Sequence, residues 1–232
     1  MLSRSGNVLL DRLAGAEIRL ITRGDYGQRG AVLEAAAVRL AEVGRKPYVI
    51  PEGGSNGLGS LGYVEAMREV REQLTLGLAG GASPFATVVH ACGSGGTAAG
   101  VALGCSRFGV AMSVRAVAVC DDADYFTRAI ARIAGEARAY DPSLGEPAPV
   151  VVDDAARGPG YGVMSVEQRR FVVRVARASG LVLDPVYTGK ALFGLAQAVE
   201  RGDIARGARV LFLHTGGLPG LLAQGDAFEG EL

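Results

Sequence analysis

The sequence predicts an α/β fold in which parallel sheets carry helices on both faces. Two observations support this prediction. Short runs rich in β-branched residues alternate along the chain with longer stretches of helical composition. Several of the β-rich runs are followed directly by polar loops that contain glycine, which is typical of connections from a strand to a helix in such folds.

The first fifty residues predict a small α/β segment. Its predicted elements are helices over residues 7–14 and 28–43 and short strands over residues 18–21 and 48–50. Gly44 follows the second helix, and glycine commonly ends a helix. Two strands and two helices bury little apolar surface by themselves. We therefore interpret residues 1–50 as the remnant of a small domain, and residues 51–232, which begin with a glycine-rich loop, as a large domain.

The larger part continues the alternation of strands and helices. Its predicted strands cover residues 85–90, 114–119, 149–152, 181–183 and 209–213, and its predicted helices cover residues 63–74, 123–138, 166–179 and 187–201 together with segments after 97 and 217. Tyr63, Met67 and Leu74 recur at helical spacing on one face. Ser165 and Gln168 match a capping box, which marks the start of a helix. This repetition indicates a parallel sheet.

Composition excludes several classes of function. The chain has 24 basic and 24 acidic side chains, so no basic field attracts nucleic acid or anionic lipid. Its three cysteines show no CxxC spacing, which favours a reducing compartment. His90 and Cys92 lack zinc spacing, so no metal site is predicted. No apolar run has the length of a membrane span and the start lacks a signal peptide, so we expect a cytoplasmic protein.

The loop over residues 93–97 reads Gly-Ser-Gly-Gly-Thr and follows a predicted strand. Glycines such as Gly95 and Gly96 let the backbone approach an anion closely. Backbone N–H groups at the helix start, with the hydroxyls of Ser94 and Thr97, can donate hydrogen bonds to phosphate oxygens. The pattern is neither GxxxxGK[ST] nor GxGxxG. A tight turn without a ligand explains the glycines equally well.

Polar loops at 187–190 and 214–217 also follow predicted strands. Ligands of open α/β sheets bind beyond the carboxyl ends of strands, so these loops favour one shared crevice. Taken singly, a hydroxyl at a helix start is usually a cap. Tyr161 lies in a glycine-rich turn at 158–162. It is either an active-site phenol or a ring that fills the loop.

Four motifs occur in order along the chain: YVIPEGGSNGLGSLGY at 48–63, GPGYG at 158–162, LDPVYTGK at 183–190 and LHTGGLPGL at 213–221. By these motifs the chain resembles the family of D-cysteine desulfhydrase and 1-aminocyclopropane-1-carboxylate (ACC) deaminase. These are fold-type II enzymes dependent on pyridoxal phosphate (PLP), with a tryptophan synthase β-like fold. The resemblance runs from about Gly6 to the last predicted helix, and it implies that residues 51–232 form the large PLP-binding domain.

The resemblance implies a lyase that converts D-cysteine to pyruvate, sulfide and ammonia by α,β-elimination, with PLP as the electron sink. Tyr161 and Tyr187 would line the substrate side as catalytic residues. The residues implied to bind the cofactor are Ser94, Gly95, Gly96, Thr97, Thr188, Thr215 and Gly216, the first four of them at its phosphate. A small amino-acid substrate and a homodimer are also implied.

Two positions distinguish the members of this family. ACC deaminases resemble this chain but carry glutamate where Thr188 stands and leucine where Thr215 stands. A carboxylate beside the pyridine nitrogen stabilises its protonated form, and a neutral threonine does this less. Eliminating a thiolate is easier than opening a cyclopropane, so threonine suits a desulfhydrase and disfavours ACC deaminase. Either threonine is a candidate for contact with the nitrogen.

The chain departs from the family pattern in its lysines. Relatives bind PLP covalently through a lysine in a GGNK-type motif near the N-terminus, followed by an SNH segment, and neither motif is present here. The two lysines are Lys46, which is expected to be solvated, and Lys190, which matches the TGK segment instead. We therefore expect a fold incomplete at its N-terminus. The alternatives are a lyase that lacks this part and a non-catalytic homologue that only binds a ligand or partner.

Overall fold

Four parallel strands form the central sheet in a computed structural model that describes residues 5–232. They are β1 (Thr87–Cys92), β2 (Val114–Ala118), β3 (Val150–Asp153) and β4 (Val210–Phe212), in the spatial order β3-β2-β1-β4. Val88 of β1 pairs with Val114 on one side and with Leu211 on the other. The predicted α/β fold with a parallel sheet is confirmed.

Helices cover both faces of this sheet. The helices in the described residues are α1 (Gly6–Leu13), α2 (Arg23–Tyr26), α3 (Arg29–Glu42), α4 (Gly57–Thr75), α5 (Gly96–Phe108), α6 (Ala123–Tyr140), α7 (Val166–Ser179), α8 (Thr188–Glu200) and α9 (Leu218–Leu222), with 3-10 turns at Glu52–Gly54 and Gly225–Glu231. Val88 and Cys92 of β1 pack towards α4, α5 and α6. Val89 and Ala91, which alternate with them, pack towards α8. This alternation gives the sheet two buried faces.

Local capping fixes several helix starts. Ser165 accepts a hydrogen bond from the N–H of Gln168, and the Gln168 side chain accepts one from the N–H of Ser165. The predicted capping box is therefore confirmed, and it satisfies two N–H groups that the helix leaves free. Asp122 caps α6 by accepting a 2.8 Å hydrogen bond from the N–H of Tyr125.

Glycines bring α4 and α5 into close contact. A Cβ atom on Gly100 would lie 2.1 Å from the carbonyl oxygen of Ser60, and one on Gly104 would lie 2.6 Å from Cβ of Met67. Met67 is fully buried between the two helices and the sheet. Part of the high glycine content therefore serves backbone packing rather than ligand binding.

Three predicted strands are wrong. Residues 18–21, 48–50 and 181–183 form no strand, and no strand pairs with them in the described part of the chain. A β-rich run needs a neighbouring strand to pair its N–H and C=O groups. Leu20 and Tyr48 are 75% and 74% exposed, so these side chains also lack a surface on which to pack.

Residues 5–50 pack loosely. The helices α1, α2 and α3 contain no buried residue, although α1 contacts α9, where a Cβ atom on Gly6 would lie 2.9 Å from Cβ of Ala223. The division into a small domain at 1–50 and a large domain at 51–232 stays a prediction. None of the helices in residues 5–232 combines the length and the apolar character needed to cross a membrane.

Candidate active site

The loops that follow the four strands lie at one edge of the sheet, because all the strands run in the same direction. A cavity of about 1290 Å³ opens there, and its lining includes Tyr26, Ser55, Ser94, Cys120, Tyr125 and Tyr161. Ser94 and Tyr161 therefore meet on one cavity although they belong to different loops. The other predicted site residues are not part of its lining as far as residues 5–232 define it: Gly95, Gly96, Thr97, Tyr187, Thr188, Thr215 and Gly216.

The loop at 93–97 begins α5 without a side-chain cap. Gly95 is the N-cap residue with a φ of 94°, a backbone conformation that favours glycine, and it makes no side-chain cap hydrogen bond. The hydroxyl of Ser55 lies 2.6 Å from the hydroxyl of Ser94. A Cβ atom on Gly96 would lie 2.7 Å from the Ser55 hydroxyl. The first-turn N–H groups of α5 and two hydroxyls are thus concentrated in a narrow cradle.

These donors fit the phosphate group of PLP. The N-terminus of a helix favours an anion through its free N–H groups and its dipole, and here no side-chain carboxylate caps it. The close approach of Ser55 to Gly96 leaves no room for a Cβ atom at that position. Ser55 is not among the site residues predicted from the sequence, because it is 39 residues from Ser94 and comes close to it only in the fold.

Tyr161 and Tyr187 form a pair beside this cradle. Their hydroxyls are hydrogen-bonded to each other, and their rings meet edge to face with centroids 6.0 Å apart. Partial burial and the hydrogen bond to Tyr187 raise the pKa of Tyr161. A Cβ atom on Gly93 would lie 3.2 Å from the Tyr187 ring, so that ring borders the glycine loop.

Lys190 is fully buried in α8. Its ammonium donates hydrogen bonds to the carbonyl oxygens of Val119 at 3.1 Å, Arg157 at 2.6 Å and Gly160 at 2.6 Å. Burial lowers its pKa to about 8. Since all three N–H donors have acceptors, this lysine does not fit covalent attachment of a cofactor, and Lys46 is exposed.

Asp184 organises the start of α8. Its carboxylate accepts hydrogen bonds from the N–H groups of Val186, Tyr187 and Thr188 at 2.7–2.8 Å. The Thr188 hydroxyl donates a fourth at 2.7 Å, and Thr188 is fully buried. Asp184 is not among the site residues predicted from the sequence, although an aspartate before a helix is a recognised capping signal.

The loop after β4 carries Thr215 and Gly216, both exposed. His214 holds it in place, because its Nε2 lies 2.9 Å from the carbonyl oxygen of Val182 and its Nδ1 accepts from the N–H of Gly216. A Cβ atom on the next residue, Gly217, would lie 2.3 Å from Cγ of Asp184. Thr215 and Thr188 are therefore on segments that both contact Asp184.

A polar cluster closes the opposite wall of the cavity. Glu52 accepts a hydrogen bond from the hydroxyl of Tyr26 and forms a 2.6 Å ion pair with Arg29. The Arg29 guanidinium lies 4.7 Å from the centre of the Tyr26 ring. The hydrogen bond to Glu52 raises the pKa of Tyr26 to about 12. This cluster joins α2 and α3 to the loop that carries Ser55.

Cys120 lies on the cavity wall at the end of β2. Burial raises the pKa of its thiol to about 11. A thiol with a raised pKa is neutral near pH 7, whereas nucleophilic cysteines have lowered pKa values. The Cys120 sulfur lies beside Gly93, 3.9 Å from its carbonyl oxygen.

Comparison with known proteins bears on the family and the fold of the chain. A family model described as pyridoxal-phosphate dependent enzyme matches residues 3–216. The chain is 41% identical over 228 residues to the Arabidopsis thaliana protein named bifunctional D-cysteine desulfhydrase/1-aminocyclopropane-1-carboxylate deaminase, mitochondrial, covering 95% of this chain and 54% of that protein. It is 39% identical over 221 residues to a Thermotoga maritima protein provisionally named a 1-aminocyclopropane-1-carboxylate deaminase, covering 95% of this chain and 67% of that protein.

A solved structure of an ACC deaminase homologue superposes with a TM-score of 0.86 at 32% identity, covering 99% of this chain and 67% of the other. The chain thus spans between half and two thirds of the length of these relatives. The family match over most of the chain, the shared fold and the four motifs agree. The chain belongs to the family of pyridoxal-phosphate dependent enzymes, in the group that contains D-cysteine desulfhydrase and ACC deaminase.

Proposed function

We propose that this chain is the cofactor-holding part of a carbon–sulfur lyase that converts D-cysteine to pyruvate, sulfide and ammonia. The observation that carries the proposal is that Ser94, in the loop that begins α5 without a side-chain cap, lines the same cavity as Tyr161. An anion cradle and a phenol on one cavity suit a phosphate-bearing cofactor with an amino-acid substrate beside it. In this proposal residues 51–232 are the PLP-binding domain and residues 1–50 belong to a smaller domain.

The cradle would hold the phosphate of PLP through backbone N–H groups of Gly95 and Gly96 and the hydroxyls of Ser94 and Thr97. The cofactor-binding set would be completed on the sheet edge by Thr188, Thr215 and Gly216. When bound, PLP supplies an electron sink for the charge that develops at the substrate Cα. The protein contributes position and hydrogen bonds.

Tyr161 and Tyr187 would handle a proton on the substrate side. A raised pKa keeps the Tyr161 phenol protonated near pH 7, so it can donate a hydrogen bond to a leaving sulfur. Its hydrogen bond to Tyr187 supplies a partner through which the proton can be replaced. The role does not require a phenolate at rest.

Thr188 favours D-cysteine over ACC as the substrate. Its side chain is neutral, and its hydroxyl is already committed to Asp184. The Asp184 carboxylate is in turn compensated by four donors at the start of α8. Thr188 therefore provides no carboxylate that would strengthen PLP as an electron sink. A weaker sink suits the easier elimination of a thiolate.

A second candidate function is binding without turnover. The observation that favours it is the three-carbonyl shell around Lys190, which leaves that amine no free donor. The other lysine, Lys46, lies outside the residues that line the cavity. A chain that acts alone would then hold PLP or an amino-acid adduct without catalysing elimination.

Substrate class can be tested with stable adducts in which PLP is reductively joined to an amino acid. Such probes bind without any lysine, so the chain is used as it exists. We expect the D-cysteine adduct to bind about tenfold more tightly than the adducts of L-cysteine and ACC, by calorimetry. Equal or tighter binding of the ACC adduct would contradict the proposed substrate.

Turnover separates the two candidate functions. The purified protein is given PLP and either D-cysteine or ACC, and sulfide, pyruvate and 2-oxobutyrate are measured. Sulfide and pyruvate from D-cysteine support the lyase. Preferential binding of the D-cysteine adduct without either product supports the binding function, and 2-oxobutyrate from ACC overturns the choice made from Thr188.

We further propose that the protein is a cytoplasmic homodimer. The zero net charge favours no membrane or nucleic-acid partner. The name of the Arabidopsis relative assigns that protein to mitochondria. Light scattering after size exclusion tests the dimer, and cell fractionation tests the location.

A further inference from the structure

The surroundings of Lys190 are unusual for a buried charge. Its side chain has no exposed surface, yet the ammonium forms no salt bridge in the part of the chain that the structure describes. Buried charged side chains are normally paired with an opposite charge or coordinate a metal ion, because moving a charge out of water is costly. Here three backbone carbonyl oxygens take that role, at 2.6, 2.6 and 3.1 Å from Nζ.

The three carbonyls come from different parts of the chain. Val119 follows β2, whereas Arg157 and Gly160 belong to the loop after β3. They lie 71, 33 and 30 residues from Lys190 in sequence. Convergent carbonyl oxygens are the ligands that replace water around potassium in proteins. An ammonium group is a compact, strongly hydrated point charge that can occupy such a shell.

We propose that the Lys190 ammonium occupies a monovalent-cation site built from the carbonyl oxygens of Val119, Arg157 and Gly160, and that this internal cation positions Tyr161. The cation site stands on its own geometry. The value of positioning Tyr161 for a reaction rests on the proposed function.

The connection to Tyr161 is direct. Gly160, which accepts from Lys190, is the residue before Tyr161, and Tyr161 is hydrogen-bonded to Tyr187. Tyr187 immediately precedes α8, which carries Lys190. The ammonium therefore closes a ring of contacts from α8 through the loop and back to α8. Gly162 in this loop has a φ of 73°, in the left-handed region that favours glycine, so this turn depends on a residue without a Cβ atom.

Removing the ammonium should leave a shell that accepts a soluble cation. Lys190→Ala removes the charge and leaves the side-chain volume empty, whereas Lys190→Met removes the charge but still fills most of that volume. We measure the melting temperature of both variants and of the natural protein in chlorides of ammonium, potassium, sodium and choline. Lys46→Ala, at an exposed position, is the matched control.

The expected result is selective rescue. Lys190→Ala should melt about 5 °C higher in ammonium or potassium than in choline at equal ionic strength. The natural protein, Lys190→Met and Lys46→Ala should show no such selectivity. Identical melting of Lys190→Ala in all four salts overturns the cation site.

Tyr161 provides the readout for positioning. The ultraviolet titration of tyrosine in Lys190→Ala should show one phenol with a lower pKa in choline, returning to its raised value in ammonium. The same change should be absent in a Tyr161→Phe background. Rescue of stability without any change in the tyrosine titration would retain the cation site and overturn the positioning role.

A measurement on the natural protein keeps the proposal testable if Lys190→Ala does not fold. The chain has two lysines, so labelling lysine with ¹⁵N gives two side-chain signals, which Lys46→Ala assigns. We expect the Lys190 ammonium protons to be visible near neutral pH, because three hydrogen bonds slow their exchange with water. Exchange as fast as that of Lys46 overturns the proposal, whatever the outcome of the substrate tests.

Discussion

The carboxylate of Asp184 accepts the hydroxyl of Thr188 and the N–H of the same residue, each at 2.7 Å. In addition, the backbone N–H of Asp184 donates a hydrogen bond to the Thr188 hydroxyl at 3.0 Å. Both side chains are buried. The Thr188 side chain is thus locked to a capping carboxylate rather than free to rotate.

Asp184→Ala should lower the free energy of unfolding by about 3 kcal/mol, because it removes a buried acceptor of four hydrogen bonds. Asp122→Ala removes the cap of α6, with one hydrogen bond to the N–H of Tyr125, and should cost about 1 kcal/mol. Urea unfolding measures both. Equal losses would mean that Asp184 acts only as an ordinary cap.

Thr188→Glu should make the melting temperature of the protein more sensitive to added PLP. The new carboxylate would stand beside that of Asp184 in a buried environment, so the variant should melt at a lower temperature than the natural protein. PLP has a ring nitrogen that can pair with the new carboxylate, so added PLP should raise the melting temperature of the variant more than that of the natural protein. Thr188→Gln, which adds no charge, is the control, and an equal response of all three chains contradicts this expectation.

Gly100→Ala should destabilise the protein by about 3 kcal/mol, because its Cβ atom would lie 2.1 Å from the carbonyl oxygen of Ser60 and force α4 away from α5. Gly135 lies within α6 and is exposed, with nothing near a Cβ atom. Gly135→Ala should therefore stabilise by up to about 1 kcal/mol. Thermal unfolding of the two variants gives opposite shifts if the α4–α5 contact is as close as described.

The free energy of unfolding should fall as the pH is lowered from 6.5 to 4, because of His90. Burial lowers its pKa to about 4, so the unfolded chain binds a proton in this window while the folded chain does not. The loss should reach about 3 kcal/mol near pH 4 and then level off. When urea unfolding is measured as a function of pH, His90→Gln should lack this part of the loss in the free energy of unfolding. His214→Gln, at the exposed histidine, should keep it.

Ser94→Ala should weaken binding of PLP about tenfold, because one hydroxyl donor to the phosphate is lost. The exposed Ser83 is the matched control, and Ser83→Ala should leave binding unchanged. Fluorescence titration with PLP, and competition by inorganic phosphate, measure the effect. Unchanged affinity in Ser94→Ala would place the phosphate elsewhere.

Local patterns explain which features the sequence could predict. The capping box at Ser165 and Gln168 involves neighbours three residues apart, and the alternation of apolar residues in β1 follows from the strand itself. The strand at 48–50 was wrong because pairing depends on another segment, which sequence runs do not reveal. The contact of Ser55 with Ser94 and the carbonyl shell of Lys190 were missed for the same reason, since both join distant residues.

The family itself was accessible from the sequence because four motifs occur in a fixed order. Their residues fall on loops at the carboxyl edge of the sheet and on the starts of α4, α8 and α9. The roles of individual residues were less accessible. Lys190 belongs to a recognisable motif, but nothing in that motif states that its amine faces three carbonyl oxygens rather than the cavity.

Glu52 and Ser55 share one short turn, so this turn connects the two sides of the cavity. Glu52 is bound to Tyr26 and Arg29, and Ser55 is bound to Ser94 at the anion cradle. We therefore expect an anion that draws the Ser94 hydroxyl towards itself to alter the strength with which α2 and α3 are held. By reciprocity, a molecule whose binding to those two helices is changed by the anion would change the affinity for the anion by the same factor.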